Sequence, residues 1–198
     1  MKKITCALLA VALLAVAPLG AQEASPRRVI PIRIVTQLGV IDAELDSARA
    51  PGTVVNFLRY VDGRFYENGA FYRAVTAANQ PNDSVRIEVI QGGMVRDGFQ
   101  RPFASIPLER TSVTGLHHRD GTLSMARGGP DTATDSFFIT IGEQPSLDYG
   151  GRRNPDGQGF AAFGVVTSGR EVVRDIQGQS VSGQSLVTPI AIIRIERR

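Results

Sequence analysis

The sequence predicts a mainly β fold, namely a closed antiparallel β-barrel capped by two α-helices. Short segments in which apolar and polar residues alternate recur along the chain, which is the pattern of half-buried strands. Glycine or proline separates nearly all of these segments, and beyond residue 28 two segments show helical spacing instead. Many short strands with two helices favour a barrel, because closure of the sheet removes its exposed edges.

Residues 1–21 have the layout of a secretory signal peptide. Two lysines precede an apolar run over residues 6–17, which is shorter than the roughly 20 residues needed to span a bilayer. We therefore expect cleavage near residue 21, no retained membrane anchor and, from the bacterial style of the signal, a periplasmic location. Residues 22–28 are expected to form a polar tether, and residues 29–198 a single domain.

The charge and the cysteine content of the chain limit the classes of function that it can have. Cleavage of the signal would lower the formal charge of +3 by two, because two lysines and no acidic residue are lost. A nearly neutral domain lacks the electrostatic footprint of a nucleic-acid-binding protein. Cys6 is the only cysteine and lies in the signal, so the exported domain depends on its hydrophobic core. About 175 residues suffice for one such core.

The first predicted elements are two strands and a helix. Residues 30–35 and 40–45 alternate apolar with polar side chains on either side of a short turn, so a hairpin is expected. A helix is expected over residues 54–61, where apolar residues have helical spacing. Pro51 suits the first turn of this helix, and Gly63 lies just beyond its end.

Six further strands and one helix are expected in the rest of the chain. The strands are predicted at residues 71–73, 86–91, 122–126, 137–141, 161–166 and 190–196. The helix follows Ser168, which together with Glu171 fits a capping box, and it can end at Gly178.

Four later segments, taken in order, resemble the cyclophilins, a family of peptidyl-prolyl cis-trans isomerases. They are Phe71-Tyr72-Arg73, Ile90-Gln91-Gly92-Gly93, residues 121–127, and Ser136-Phe137-Phe138-Ile139. The resemblance extends to residues 53–58 in the first helix, to Ser146-Leu147-Asp148, and to residues 163–166 with the helix that follows, and so covers nearly all of the domain. It implies an eight-stranded antiparallel barrel capped by two helices, prolyl isomerase activity, and proline-containing peptides as ligands.

The resemblance also implies a set of site residues. Arg73 falls where the family has its catalytic arginine, and Phe138 where an aromatic ring forms the floor of the proline pocket. The remaining peptide-binding residues would be Val89, Gln91, Ala126, Arg127, Ser136, Leu147 and Phe160. Ser136 replaces a longer glutamine, Glu88 stands where a pocket phenylalanine is common, and the chain has no tryptophan. The short Ser136 predicts weaker peptide binding.

The chemistry of proline isomerisation fits an arginine. Rotation about an X-Pro bond faces a barrier of roughly 18 to 20 kcal/mol and takes tens of seconds without a catalyst. Twisting localises a lone pair on the prolyl nitrogen, so a donor placed there stabilises the twisted state more than the planar one. Arginine is always charged and can supply that donor, and the reaction needs neither metal nor cofactor.

The sequence leaves other functions to be weighed. A binding module on the same fold, a chaperone or scaffold without turnover, is compatible with Ser136 and Glu88. A metal site at His117 and His118 is not expected, because adjacent residues of a strand point to opposite faces and no second ligand cluster completes it. For an active isomerase we expect a monomer that acts on unfolded exported proteins, without contact to nucleic acid or membrane.

Overall fold

The computed structural model of the protein describes residues 28–94 and 101–198, which form nine β-strands and three α-helices. The strands are β1 (Val29–Thr36), β2 (Gly39–Asp46), β3 (Gly69–Val75), β4 (Val89–Gly93), β5 (Thr122–Met125), β6 (Phe137–Thr140), β7 (Ala161–Ser168), β8 (Val181–Ser182) and β9 (Ser185–Arg197). The helices are α1 (Pro51–Asp62), α2 (Thr111–Thr114) and α3 (Arg170–Gln177). The predicted signal peptide and all but the last residue of the predicted tether lie outside the described residues.

Eight of the strands close into an antiparallel barrel. Their order is β1-β2-β7-β5-β6-β4-β3-β9, and β9 pairs again with β1 to complete the ring. The predicted eight-stranded antiparallel barrel is therefore confirmed. The strand β8 pairs with the start of β9 outside the ring, and neither β8 nor α2 was predicted. Both elements are at most four residues long, so neither contains a full period of an alternating or helical pattern.

The barrel interior is filled from alternate positions of its strands. Ile32 and Ile34 of β1 are fully buried, as is Phe137 of β6. The helix α1 packs on this interior through Phe57, whose ring centroid lies 5.4 Å from that of Phe137 and 5.2 Å from that of Phe163. Aromatic contacts of this kind join the helix to two strands of the barrel. No helix within residues 28–94 and 101–198 is long and apolar enough to cross a membrane.

A carboxylate from a distant loop caps the start of α1. Pro51 occupies the first turn as predicted, and no neighbouring side chain caps the helix. Instead, the backbone N–H groups of Gly52 and Thr53 donate to the carboxylate of Glu109 at 2.9 and 2.7 Å. A negative charge at this position satisfies free N–H groups and interacts favourably with the helix dipole.

The predicted capping box of α3 is wrong. Ser168 is the last residue of β7, where it pairs with Asp42, and Gly169 is the N-cap without a side-chain cap hydrogen bond. Gly169 has a φ of +84°, and a Cβ atom at this position would collide with the carbonyl oxygen of Val40. Glycine is therefore required for the tight passage from strand to helix. The predicted end at Gly178 is confirmed, since its N–H donates to a carbonyl of the last turn.

Candidate active site

A cavity of about 290 Å³ opens on the outer face of the barrel, where β5, β6, β4 and β3 lie side by side. Eight of the nine predicted site residues line it, namely Arg73, Val89, Gln91, Ala126, Arg127, Phe138, Leu147 and Phe160. Three residues that sequence reasoning missed also line it, namely Ile87, Arg153 and Asn154. The ninth predicted residue, Ser136, is not among the lining residues.

The floor of the cavity is apolar because successive residues of β6 point to opposite faces. Phe137 lies in the barrel core, and Phe138 therefore points outward, where it is only 4% exposed. There it forms a small separate cluster with buried aliphatic side chains, including Val89 and Leu147. The ring of Phe160 stands perpendicular to that of Phe138 at a centroid distance of 5.4 Å. The result is a concave surface with an apolar floor of the kind that a proline ring could occupy.

Ile87, and not Glu88, faces this floor, so the assignment of Glu88 to a pocket position is wrong. Residues 86–88 precede β4, although a strand was predicted to begin at residue 86, and Glu88 contacts the sheet through its carbonyl, which accepts from the N–H of Ile141 at 2.9 Å. The buried amide of Gln80 instead holds the backbone of Ile87, accepting from its N–H at 3.2 Å and donating to its carbonyl at 2.7 Å. Glu88 then points towards Gln177 of α3, away from the cavity.

A β-bulge in β3 places Arg73 at the cavity. Phe71 and Ala74 both belong to the barrel core, and the pairing of β3 with β4 shifts between Phe71 and Arg73. Tyr72 is the extra residue, and a bulge of this kind redirects the next side chain to the other face. Arg73 consequently lies beside Gln91, whose Oε1 accepts from Nη1 of the arginine at 2.8 Å.

Gln184 holds the other side of the guanidinium. Its Oε1 accepts from Nε of Arg73 at 3.1 Å and from Nη2 at 2.5 Å. Gln184 follows β8 in the turn that leads into β9, and its carbonyl also accepts from the N–H of Ala74. A single glutamine in a turn carries no sequence signal of such a role, so only the folded structure identifies it.

The charge of Arg73 is not neutralised by its immediate partners. Both partners are amides, and within residues 28–94 and 101–198 no carboxylate lies within ion-pair distance of this guanidinium. Its pKa lies below the ordinary value, because burial disfavours the charged form and the positive charge of Arg153 is nearby. Arginine nevertheless stays protonated in proteins. A fixed positive charge therefore stands at the edge of an apolar cavity.

Arg127 anchors the loop of residues 148–159 to the rim of the cavity. Its Nη1 and Nη2 contact the carboxylate of Asp156 at 2.7 and 3.0 Å, and its Nε donates to the carbonyl of Gly159 at 2.7 Å. The guanidinium carbon also lies 5.0 Å from the ring centroid of Phe160. The hydrogen bond from Arg127, with one from the backbone of Gln158, holds the pKa of Asp156 at about 2. The loop is therefore pinned across the ordinary pH range.

The side chain of Ser136 is linked to the site through Tyr72, and its carbonyl accepts from the N–H of Ala126 at 2.9 Å. The hydroxyl of Tyr72 donates to Oγ of Ser136 at 3.1 Å and accepts from Nε2 of Gln91 at 3.1 Å. A chain of hydrogen bonds thus runs from Ser136 to Tyr72, from Tyr72 to Gln91, and from there to Arg73.

The two adjacent histidines share one carboxylate, so the expectation that they point to opposite faces is wrong. They precede β5 and lie outside any strand, and their Nδ1 atoms lie 2.9 Å (His117) and 2.6 Å (His118) from Asp148. Nε2 of His118 lies 2.9 Å from Oγ of Ser124, and its ring stacks on Phe138 at 5.9 Å. Ser124 is fully buried and cannot meet a substrate, so this network supports the pocket floor. Within the described residues, no three histidine, cysteine or acidic side chains are placed to hold a metal ion.

Comparison with known proteins gives one consistent result. The family model described as cyclophilin type peptidyl-prolyl cis-trans isomerase/CLD matches residues 31–197. Peptidyl-prolyl cis-trans isomerase cyp18 of Streptomyces antibioticus is 34% identical over 74% of this chain and 82% of its own length. Peptidyl-prolyl cis-trans isomerase A of Dickeya dadantii is 32% identical over 73% of this chain and 70% of its own.

The solved structures agree on the fold. Two crystal structures of a cyclophilin type isomerase from Cryptosporidium parvum, the second in the presence of the dipeptide Ala-Pro, have TM-scores of 0.68 and 0.66. They cover 86% and 85% of this chain and 98% of their own, at 23% identity.

Proposed function

This chain belongs to the cyclophilin-type peptidyl-prolyl cis-trans isomerases and has the activity of that family, and we propose that Arg73 is its catalytic residue and exported proteins its substrates. The observation that carries the proposal for Arg73 is its position. A partly buried guanidinium, oriented by two amides and without a carboxylate partner among the described residues, borders a cavity whose apolar floor could hold a proline ring.

The geometry suits stabilisation of the twisted X-Pro bond. A guanidinium has five N–H donors, and the hydrogen bonds to Gln91 and Gln184 engage only its Nε, Nη1 and Nη2 once each. Two donors of Arg73 therefore remain for the prolyl nitrogen. No bond is made or broken, since the arginine acts by favouring the state in which the nitrogen lone pair is localised.

One hydrogen bond does not account for the whole rate enhancement. Bringing a reaction of tens of seconds into the millisecond range requires about 5 to 6 kcal/mol, at ~1.4 kcal/mol per factor of ten. A hydrogen bond from a charged group contributes about 1.5 to 3 kcal/mol. We assign the rest to positioning. Phe138 and its neighbours hold the ring, while the main chain of Ala126 and Arg127, which borders the cavity just beyond β5, holds the residues before the proline.

Residues 1–21 support the proposed export. Their charged start and short apolar run predict a signal that delivers the domain, which contains no cysteine, to the periplasm. Fractionation of cells that produce the full chain, followed by N-terminal sequencing, tests this. We expect a periplasmic product that begins near residue 22. An uncleaved product in the cytoplasm would contradict the proposal.

The decisive test of Arg73 is the cis-trans exchange rate of a short Ala-Pro peptide, measured by NMR with wild type, Arg73→Ala and Arg152→Ala. Arg152 is an exposed arginine that does not line the cavity, so its variant controls for loss of surface charge. We expect acceleration by wild type and by the control, and at least a tenfold smaller effect of Arg73→Ala with unchanged circular dichroism. Equal rates for all three proteins would refute the role of Arg73. Peptide binding by the folded wild type without any acceleration would favour a proline-binding chaperone or scaffold.

A further inference from the structure

The loop of residues 148–159 bridges two walls of the cavity. On one side, Asn154 and Asp156 lie against Arg127, with the amide oxygen of Asn154 in the orientation that accepts from both terminal nitrogens of that arginine at 3.1 and 3.2 Å. On the other side, Nη1 of Arg153 donates to the carbonyl of Val85 at 2.8 Å. Arg153 is thereby fixed as a lining residue of the cavity at the end where the chain enters β4.

Arg153 keeps hydrogen-bond donors available. Both of its polar contacts, to Val85 and to the carboxylate of Asp83 at 3.0 Å, are made by Nη1. Within the described residues, Nε and Nη2 have no hydrogen-bond partner, although the side chain is only 15% exposed. Solvent still reaches these nitrogens, so an incoming carboxylate would replace water with charge-assisted hydrogen bonds in a partly shielded position.

The charges around the cavity are unbalanced towards positive. Among the described residues, Arg127 is paired with Asp156, and Arg73 has only amides as hydrogen-bond partners. Asp83, which is the partner of Arg153 and also attracts Arg73, is 40% exposed to water. Arg73 and Arg153 lie close enough for mutual repulsion, which contributes to the lowered pKa of Arg73. An anion between these two guanidinium groups would relieve that repulsion.

We propose that Arg153 forms a subsite for a carboxylate on the residue that follows the proline, so that the enzyme prefers Pro-Glu and Pro-Asp segments. This inference rests on the binding mode proposed above. With the residues before the proline along Ala126 and Arg127 and the ring on Phe138, we place the residue after the proline beside Arg73 and Arg153, which line the same cavity. A planar guanidinium with two unengaged nitrogens matches a carboxylate in geometry and charge.

The test compares capped peptides that differ only after the proline, Ala-Ala-Pro-Glu, Ala-Ala-Pro-Gln and Ala-Ala-Pro-Lys. NMR gives both the exchange rate, as kcat/KM, and the dissociation constant from titration. For wild type at low salt we expect the Glu peptide to have a kcat/KM about threefold to tenfold higher than the Gln peptide and a dissociation constant lower by a similar factor. The Lys peptide should be the slowest and the weakest ligand, and the Glu/Gln difference should shrink as salt is added.

Four variants separate charge from folding. Arg153→Gln should bring the Glu/Gln ratio to about one, and Arg153→Glu should reverse the order in favour of Lys. Asp83→Asn removes the competing carboxylate but leaves Arg153 in place, so it should enlarge the ratio. Arg152→Gln makes the same charge change in the same loop, outside the cavity, and should keep the wild-type ratio.

Two results would overturn the inference and leave the isomerase activity standing. One is equal kcat/KM and equal affinity for the Glu and Gln peptides with wild type, and the other is a preference that survives Arg153→Gln in a folded protein. Failure of the proposed isomerase function would give a different set of results. In that case wild type accelerates none of the three peptides, and tighter binding of the Glu peptide that is lost in Arg153→Gln still supports the subsite.

Discussion

Replacement of Gln184 by alanine removes two of the three hydrogen bonds that orient Arg73. The amide oxygen of Gln184 accepts from both Nε and Nη2, whereas Gln91 accepts only from Nη1. With only the hydrogen bond to Gln91 left, the guanidinium can rotate away from the prolyl nitrogen and bind water instead. We predict that Gln184→Ala lowers kcat/KM through misorientation of Arg73, with little effect on the apolar floor of the pocket.

The size of this effect is bounded by the contribution of Arg73 itself. If catalysis by Arg73 depends on one charge-assisted hydrogen bond of about 1.5 to 3 kcal/mol, loss of the arginine costs about 10-fold to 150-fold in rate. Gln184→Ala keeps the guanidinium and its bond to Gln91, so its cost must be smaller. We expect about threefold to tenfold.

A double-mutant cycle provides the assay. The exchange rate of an Ala-Pro peptide is measured by NMR with wild type, Gln184→Ala, Arg73→Ala and the double variant. If Gln184 acts only through Arg73, its replacement costs nothing further in the Arg73→Ala background. Gln179→Ala is a matched control, because this exposed glutamine donates only to a carbonyl of α3. An equal loss from Gln184→Ala in both backgrounds would refute the reasoning.

Two further predictions concern the pocket floor. Phe138→Ala deletes a ring that is 4% exposed, so we expect KM to rise and the free energy of unfolding to fall by about 3 to 5 kcal/mol, as measured by peptide exchange kinetics and urea unfolding. The pKa of Asp148 is raised by burial but lowered further by hydrogen bonds with His118 and His117, and the net pKa is below its ordinary value of 3.8. The carboxylate therefore stabilises the fold above pH 3.8, and this contribution is lost as the pH falls through the lowered pKa. Unfolding of wild type and Asp148→Asn across pH 2 to 6 should show a stability difference that shrinks below pH 3.8, and a constant difference would contradict this.

The sequence was sufficient for the strands of the barrel because they show local alternation. The floor of the pocket was assigned by resemblance to a known family, and alternation explains why that assignment fits the structure. Phe137 and Phe138 are adjacent, so whichever one enters the core, the other must face outward. The bulge at Tyr72 could not be predicted from alternation, because strict alternation from Phe71 would have pointed Arg73 into the core. The outward direction of Arg73 was predicted only by resemblance to a known family.

The rim of the pocket could not be predicted, because its residues come from loops without periodicity. Gln184 and Arg153 are each distant in sequence from Arg73, and their contacts exist only once two loops have folded against the barrel. Glu88 is a different case, because alternation alone gives its correct direction. Counting back from Gln91 in steps of two places Val89 and Ile87 on the cavity face and Glu88 on the opposite one, so the error came from the position assigned by resemblance to a known family.

The hydrogen bonds around Ser136 indicate that its side chain helps to order the site. Because the hydroxyl of Tyr72 donates to Ser136, its oxygen is left to accept from Nε2 of Gln91. The amide nitrogen of Gln91 therefore faces Tyr72, and its oxygen faces Arg73. A reversed amide would place donor against donor at Arg73 and acceptor against acceptor at Tyr72. A serine too short to reach a bound peptide thus orders the groups that hold the proposed catalytic arginine, so we expect a loss of peptide contacts at this position to be accompanied by a better-defined guanidinium.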